Sequence, residues 1–261
     1  MDATQLLLVG GGAFLAGGMN AIAGGGTFFS FPALLAAGVP PVMANASNTV
    51  AMWPASLSSA WAYRREVSRH PRWTLLLVLV SLIGGISGSL LLLATSNAAF
   101  SRLVTWLLLV ATSLFAFSGQ ISRAVAAAKA KVGLGTRAAG TPGGLGGLIF
   151  QTIVAIYGGF FGAGMGILTL AALAIQGVDD MQELNGLKNL TSAVNYTVAA
   201  ATFIIAGAIS WPHTLLMIAT AMAGAFAGAA FARRLPAVWL RRLVVAVGAV
   251  LSLIYFIKTY A

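Results

Sequence analysis

Gly24-Gly25-Gly26-Thr27-Phe28-Phe29-Ser30-Phe31-Pro32-Ala33-Leu34-Leu35-Ala36-Ala37-Gly38 is an apolar stretch that opens on a glycine run and closes on another glycine. Its echo, Gly162-Ala163-Gly164-Met165-Gly166-Ile167-Leu168-Thr169-Leu170, lies in the second half of the chain. Lipid offers no hydrogen-bond partner to bare backbone. A glycine run at membrane depth is therefore sustained only where protein packs around it or where it lines a cavity. Paired breaks of this kind in two halves of a chain point to the binding site of a transporter.

The surrounding composition is that of a membrane protein. The chain has 261 residues, is 59% hydrophobic and 8% charged, and has a mean hydropathy of +0.92. A soluble domain carries about 25% charged residues. No charge intervenes between Arg72 and Arg102, or between Arg137 and Asp179. The apolar runs are continuous, whereas a membrane β-barrel alternates over segments of about ten residues. The expected fold is all-α, polytopic and embedded in a bilayer. The net charge of +10 sits in short clusters between apolar runs, where topology determinants belong, so nucleic acid is not an expected partner. The chain has no cysteine, which excludes disulfides, thiolate metal sites and a thiol nucleophile. Met1-Asp2-Ala3-Thr4-Gln5 lacks the positive leader of a secretory signal, and the first apolar segment is expected to be retained.

In chain order, the first apolar stretch runs from Gln5 to Ala23, meets the glycine break and resumes as Thr27 to Ala37. That second piece makes about 16 Å of helix, roughly half the hydrocarbon core. Gln5–Ala37 is read as a re-entrant, broken hairpin. Spans follow at about Val42–Tyr63, Trp73–Thr95 and Leu103–Phe117, with a basic loop at Arg64–Arg72 and a turn at Thr95–Arg102. Residues 119–147 form a basic linker, expected in the cytoplasm, between a first repeat (1–118) and a second (148–261). The second half has its own broken stretch from Leu148 to Ile175. Its spans are Leu184–Ala206, one ending at Ala232, and a last one to about Lys258. Arg233, Arg234, Arg241 and Arg242 form a basic loop between the last two.

The halves superimpose by position. Asn45 falls on Asn185, Gly84 on Gly224 and Gly88 on Gly228, while Lys188 falls on Asn48 and Asn189 on Thr49. The arginine cluster precedes the G-x-x-x-G helix in the first half and follows it in the second. If basic loops face the cytoplasm, the repeat is inverted. Each broken stretch must then cross the membrane zero or two times. This places both termini outside, and the 64–72, 119–147 and 233–242 loops inside.

No enzyme signature is present. His70 and His213 lie beside prolines at span ends, and no histidine–carboxylate spacing fits a metal. The acidic residues Asp2, Glu66, Asp179, Asp180 and Glu183 fall in loops or at span ends. A coupling relay built on a buried carboxylate is therefore not expected, and no cofactor or metal is implied. What remains suits a small anion. Helix N-termini expose N–H groups and partial positive charge, and the glycine breaks aim such ends into the protein. The candidate substrate-binding residues are Asn20, Gly24, Gly25, Gly26 and Thr27 at the first break, and Asn45, Asn48 and Thr49 on the helix after it. Gly162, Gly164 and Gly166 lie at the second break, with Asn185, Lys188, Asn189 and Ser192 as a stripe on its following helix. Asn195 extends that stripe. The plainer roles for the asparagines are capping and interhelical bonding, and for Lys188 snorkelling to an interface.

At these residues the chain resembles the TauE/SafE family of sulfite and organosulfonate exporters. The likeness is carried by Gly24–Leu35, Gly38-Val39-Pro40-Pro41 and Ala44-Asn45-Ala46-Ser47-Asn48, and less closely by Gly162–Gly166 and Asn185–Asn189. The second repeat departs from it in having no proline equivalent to Pro32. The resemblance implies a bacterial inner-membrane permease that exports small sulfur-containing or carboxylate anions such as sulfite or sulfoacetate. An anion channel and a non-transporting membrane assembly protein are the alternatives, and the sequence leaves oligomeric state open. Single cysteines at Ser68 and Ala237 are expected to react with an impermeant thiol reagent from the same side of the membrane. Labelling from opposite sides would overturn the inverted topology.

Overall fold

The computed structural model describes residues 1–22, 25–67, 71–132, 145–176, 178, 180–232 and 237–260. Every regular element among them is helical: α1 (Ala3–Ile22), α2 (Thr27–Ala36), α3 (Pro41–Ala62), α4 (Arg64–Val67), α5 (Pro71–Ala94), α6 (Asn97–Val132), α7 (Leu145–Phe160), α8 (Met165–Ile175), α9 (Met181–Ile205), α10 (Trp211–Ala232) and α11 (Ala237–Tyr260). Three of them, α5, α6 over Asn97–Ile121 and α11 over Arg242–Tyr260, contain stretches long and apolar enough to cross a membrane unaided. Helices α2, α7 and α8 are apolar but short.

Both glycine-broken stretches fold back as hairpins. Gln5, near the start of α1, donates its side-chain amide to the carbonyl of Ala37, just past the end of α2, at 3.1 Å. Midway along, a Cβ at Gly12 would lie 2.5 Å from the Ala33 Cβ. In the second half, a Cβ at Gly147, at the start of α7, would lie 2.6 Å from Cγ of Gln176, which follows α8. The chain turns at glycines with left-handed backbone: Gly25 has φ +84° and Gly164 φ +77°, a region that side-chain-bearing residues rarely enter.

Two departures from the sequence reading concern α6. The expected turn Thr95–Arg102 shrinks to Thr95–Ser96. The Ser96 hydroxyl accepts from the Ala99 amide and starts the helix six residues early, as an N-cap serine does. At its other end α6 continues through Val132, so the first part of the expected linker is helix. Alanine, lysine and arginine there are strong helix formers. At 36 residues, α6 is about 54 Å long and outreaches the ~30 Å core. The Gly/Pro-rich part of that linker lies outside the described residues.

The small-residue crossings set how the helices assemble. α10 packs along α1, α5 along α7, α3 against α9, and α6 against α11. Gly84 and Gly88 of α5 face Ala155, Ile156 and Phe160 of α7, and Gly224 and Gly228 of α10 face Phe14 and Gly18 of α1. Both G-x-x-x-G pairs therefore serve contacts inside this chain. A methyl group at Gly224 would overlap the carbonyl of Phe14, and one at Gly17 the carbonyl of Ala221. Backbones this close admit only glycine, as in G-x-x-x-G dimers.

Overpacking a tight interior costs about 1–3 kcal/mol. Gly224→Val and Gly88→Val are expected to lower stability by at least that much in detergent thermal melts. Gly11→Val, whose Cβ meets no atom within 4 Å, is expected to leave the melting temperature unchanged.

Candidate functional site

The two hairpin tips lie in the protein interior. A Cβ at Gly25 would meet Phe115 of α6 and Val244 of α11, both at 3.0 Å, and one at Gly164 would meet Leu114 and Ala111 of α6. The hairpins touch through an aromatic cluster. Phe31 of α2 stands edge-on to Phe161, next to the second tip, with centroids 5.6 Å apart. Phe100 of α6 packs edge-on to Phe31, Phe160 and Phe161. Phe31, Phe100 and Phe161 are all buried. T-shaped pairs add about 0.5–1.5 kcal/mol beyond area burial, so this cluster fastens the tips by apolar packing where the polar groups cannot.

The asparagines bond mainly to backbone. Asn20 Oδ1 accepts the Gly26 amide at 3.0 Å, which occupies one of the N–H groups expected to meet an anion. Asn48 Oδ1 accepts the hydroxyl of Ser30 at 2.6 Å, and Ser30 also reaches the Gly26 carbonyl at 3.3 Å. These bonds pin α2 between α1 and α3. Asn45 crosses to the other half, donating Nδ2 to the Phe160 carbonyl at 2.9 Å. Asn195 donates to the Ala155 carbonyl at 2.7 Å. Thr49 bonds back to the carbonyl of Asn45. For Asn20, Asn45, Asn48 and Asn195 the capping and interhelical roles therefore hold in this conformation. Buried backbone has no water to turn to, so side-chain amides supply the partners.

One polar atom at the junction stays open: Asn45 Oδ1 is buried with no hydrogen-bond partner. Because Nδ2 is fixed by a carbonyl, the open atom is an acceptor. It takes a protonated oxygen or a water and does not contact a bare anion directly.

Lys188 lies at the second tip. Its stem is 3.6 Å from where a Cβ at Gly166 would sit, in the first turn of α8. Gly164, which precedes α8, supplies no side-chain cap. Lys188 is half-buried, as are Asn185, Asn189 and Ser192, with Asn195 fully buried. Thr27 is buried at the first tip. Gly162 lies near Gly158 and the Tyr196 hydroxyl. Gly24 lies outside the described residues. The predicted residues thus fall into neighbouring groups: Asn20, Gly26, Thr27 and Asn48 around the first tip, Asn45 (to which Thr49 bonds back) bridging to the second, and Gly166 with Lys188 on the second.

Some functional candidates were missed by sequence reasoning. Ser30 and the phenylalanines sit inside an apolar run and give no separate signal. Trp53 donates its indole N–H to Thr197 Oγ1 at 2.9 Å, tying the middle of α3 to α9. Asp180 and Glu183 lie at a span end as expected, but the burial of Glu183 was not foreseen. Glu183 is buried, 9% exposed, in the first turn of α9. Asp180 caps that helix by accepting from the amides of Gln182 and Glu183. The start of α9 is enclosed because Leu184 and Leu187 join a buried cluster with Trp73, Leu77, Leu173 and Val178, against which Val67 packs, which a linear reading of a span end does not reveal. A carboxylate at a helix N-terminus is electrostatically favoured.

Buried, glycine-tipped half-helices within a bundle of apolar helices define a polytopic membrane transporter. The chain belongs to the sulfite exporter TauE/SafE family, whose model it matches over residues 9–255. It is similar to a "Probable membrane transporter protein" of Haemophilus influenzae, 29% identical over 217 residues, covering 83% of this chain and 80% of the relative. It also resembles the probable membrane transporter protein ORF9 of a Sinorhizobium species, 25% identical over 242 residues and covering 92% and 88% of the two chains. A third relative, the probable membrane transporter protein YfcA of Escherichia coli K12, is 27% identical over 241 residues, covering 92% and 85%. No solved structure matches the chain.

Removing one partner of a buried hydrogen bond costs about 1–3 kcal/mol. Asn45→Leu and Asn195→Leu are each expected to destabilise by that amount in thermal melts. Ser59→Ala, at an exposed hydroxyl, is expected to have no effect.

Proposed function

We propose that this transporter exports a small sulfur-containing anion such as sulfite or sulfoacetate across the bacterial inner membrane. It works by alternating access between two inverted repeats, residues 1–118 and 148–261, joined by the basic segment 119–147. The observation that carries the anion reading is Lys188 beside Gly166. A lysine stem lies against the N-terminal turn of α8, whose end has no side-chain cap. A cation and the positive end of a helix at one place favour an anion. Asn45 Oδ1 supplies an acceptor for a protonated oxygen or a bridging water at the neighbouring junction.

The inverted-repeat reading is supported by the pairing of helices. α1 lies on α10 as α7 lies on α5, and α3 meets α9 as α6 meets α11. Each first-half element is matched by the same-ranked element of the second half, once the four-residue α4 is set aside. The termini are then periplasmic, and the basic segments Arg64–Arg72 and 233–242 cytoplasmic. The substrate meets the tips between the repeats, and rocking of one repeat on the other exposes it to each side in turn. The burial of Glu183 restores a carboxylate to the list of groups that can take part in coupling.

The test is saturable flux of sulfite and sulfoacetate in proteoliposomes. Lys188→Ala and Lys188→Gln are expected to cut flux at least about tenfold, the loss of a charge-assisted contact, with the melting profile retained. Asn45→Ala is expected to reduce flux with some loss of stability. Unchanged flux in Lys188→Ala would overturn the site, and currents without saturation or counterflow would overturn alternating access.

A further inference from the structure

A cavity of about 820 Å3 lies away from the hairpin tips, between the C-terminal half of α3, α4, the stretch of α5 around Val78 and Leu82, and the middle of α9. Its wall is apolar apart from Ser58, Thr197 and Arg64. The Thr197 hydroxyl is already used twice, accepting from Trp53 and donating to the Ala193 carbonyl. A small hydrated anion therefore finds little to replace its water along this wall. The rim is open, since Leu57 is 44% exposed and Trp61 69% exposed.

Arg64 is the one charged residue among those lining the groove. Arg64 lies at its mouth, with the guanidinium 4.8 Å from the centroid of the Trp61 ring. One N–H donates to the Trp61 carbonyl at 3.0 Å. A guanidinium has five N–H donors, and stacking on an aromatic face leaves its edge free for a planar or tetrahedral oxyanion. At the other end, the Trp53–Thr197 bond closes the groove towards the hairpins. From residue 53 to residue 64 a helix rises about 16 Å, close to one leaflet of a ~30 Å core.

We infer that this groove is a binding site for one acyl chain of an anionic phospholipid whose phosphate is held by Arg64. Charge complementarity selects the head group, and the length and apolar wall select the tail. Basic residues beside interhelical pockets at the membrane surface are suited to such lipids. The bound chain wedges between α3 and α9 below the bond that joins them. Its presence therefore bears on how easily those helices close against each other, whatever the transported substrate is.

The full chain is reconstituted in vesicles containing a minor fraction of either dibrominated phosphatidylglycerol or dibrominated phosphatidylcholine. The Trp61 contribution to fluorescence is isolated by subtracting the Trp61→Phe variant. Brominated phosphatidylglycerol is expected to be preferred at Trp61 roughly fivefold, the effect of one basic residue at an anionic surface. Arg64→Gln, at an exposed position, is expected to abolish that preference without altering the melting profile. Val194→Phe, which fills the groove, is expected to abolish it with Arg64 intact. Equal quenching by both lipids in the unmodified protein would overturn the inference. So would a preference that survives Arg64→Gln, and one that survives Val194→Phe would place the lipid outside the groove.

Discussion

Unsatisfied backbone is the constraint on which the rest of this structure depends. Two half-helices end inside the bundle, and each end strands N–H and C=O groups where neither lipid nor bulk water reaches them. The protein answers with side-chain amides. Asn20 takes the Gly26 amide, and Asn45 gives to the Phe160 carbonyl at the end of α7. The first of these bonds lies within one half of the chain, whereas Asn45 spans both. The polar groups that make the hairpin tips possible are thus also a physical link between the halves.

Close helix approach is the second condition. Side-chain amides reach a neighbouring backbone only if the helices stand near each other. The glycines of α5 and α10 provide that proximity by meeting α7 and α1 backbone to backbone. Such contacts gain from dispersion and close fit, since the hydrophobic effect offers little between helices already in lipid. The aromatic cluster of Phe31, Phe100, Phe160 and Phe161 then fills the space between the hairpins. Lys188 is left as the cation at the second tip, and the arginine-capped groove lies on the far side of the Trp53–Thr197 bond.

Much of the architecture was legible in the sequence because bilayers enforce simple rules. Glycine runs in apolar stretches marked both hairpins, and apolar length marked α5 to within a few residues, whereas α11 begins at Ala237, inside the expected basic loop. Where the reading failed, a tertiary or capping interaction intervened. Ser96 started α6 early, and good helix formers extended it beyond the membrane. Glu183, at what the sequence shows as a span end, is covered by neighbouring helices. Ser30 gives no sign in the chain of its bond to Asn48, because the two residues meet only when the hairpin folds against α3.

The sequence by itself determined the class: helices in a bilayer, broken twice at glycines, with polar residues opening the helices that follow. Those features are local, set by hydropathy, backbone freedom and the residues on one helix face. Only the tertiary structure decided what the polar residues touch. It gave Asn20, Asn45, Asn48 and Asn195 partners elsewhere in the fold, set Lys188 against α8, and assigned both G-x-x-x-G pairs to contacts within the chain. The reason is that a hydrogen bond or a backbone crossing depends on ångström distances between segments far apart in the chain. Residue type and spacing along the chain do not fix those distances.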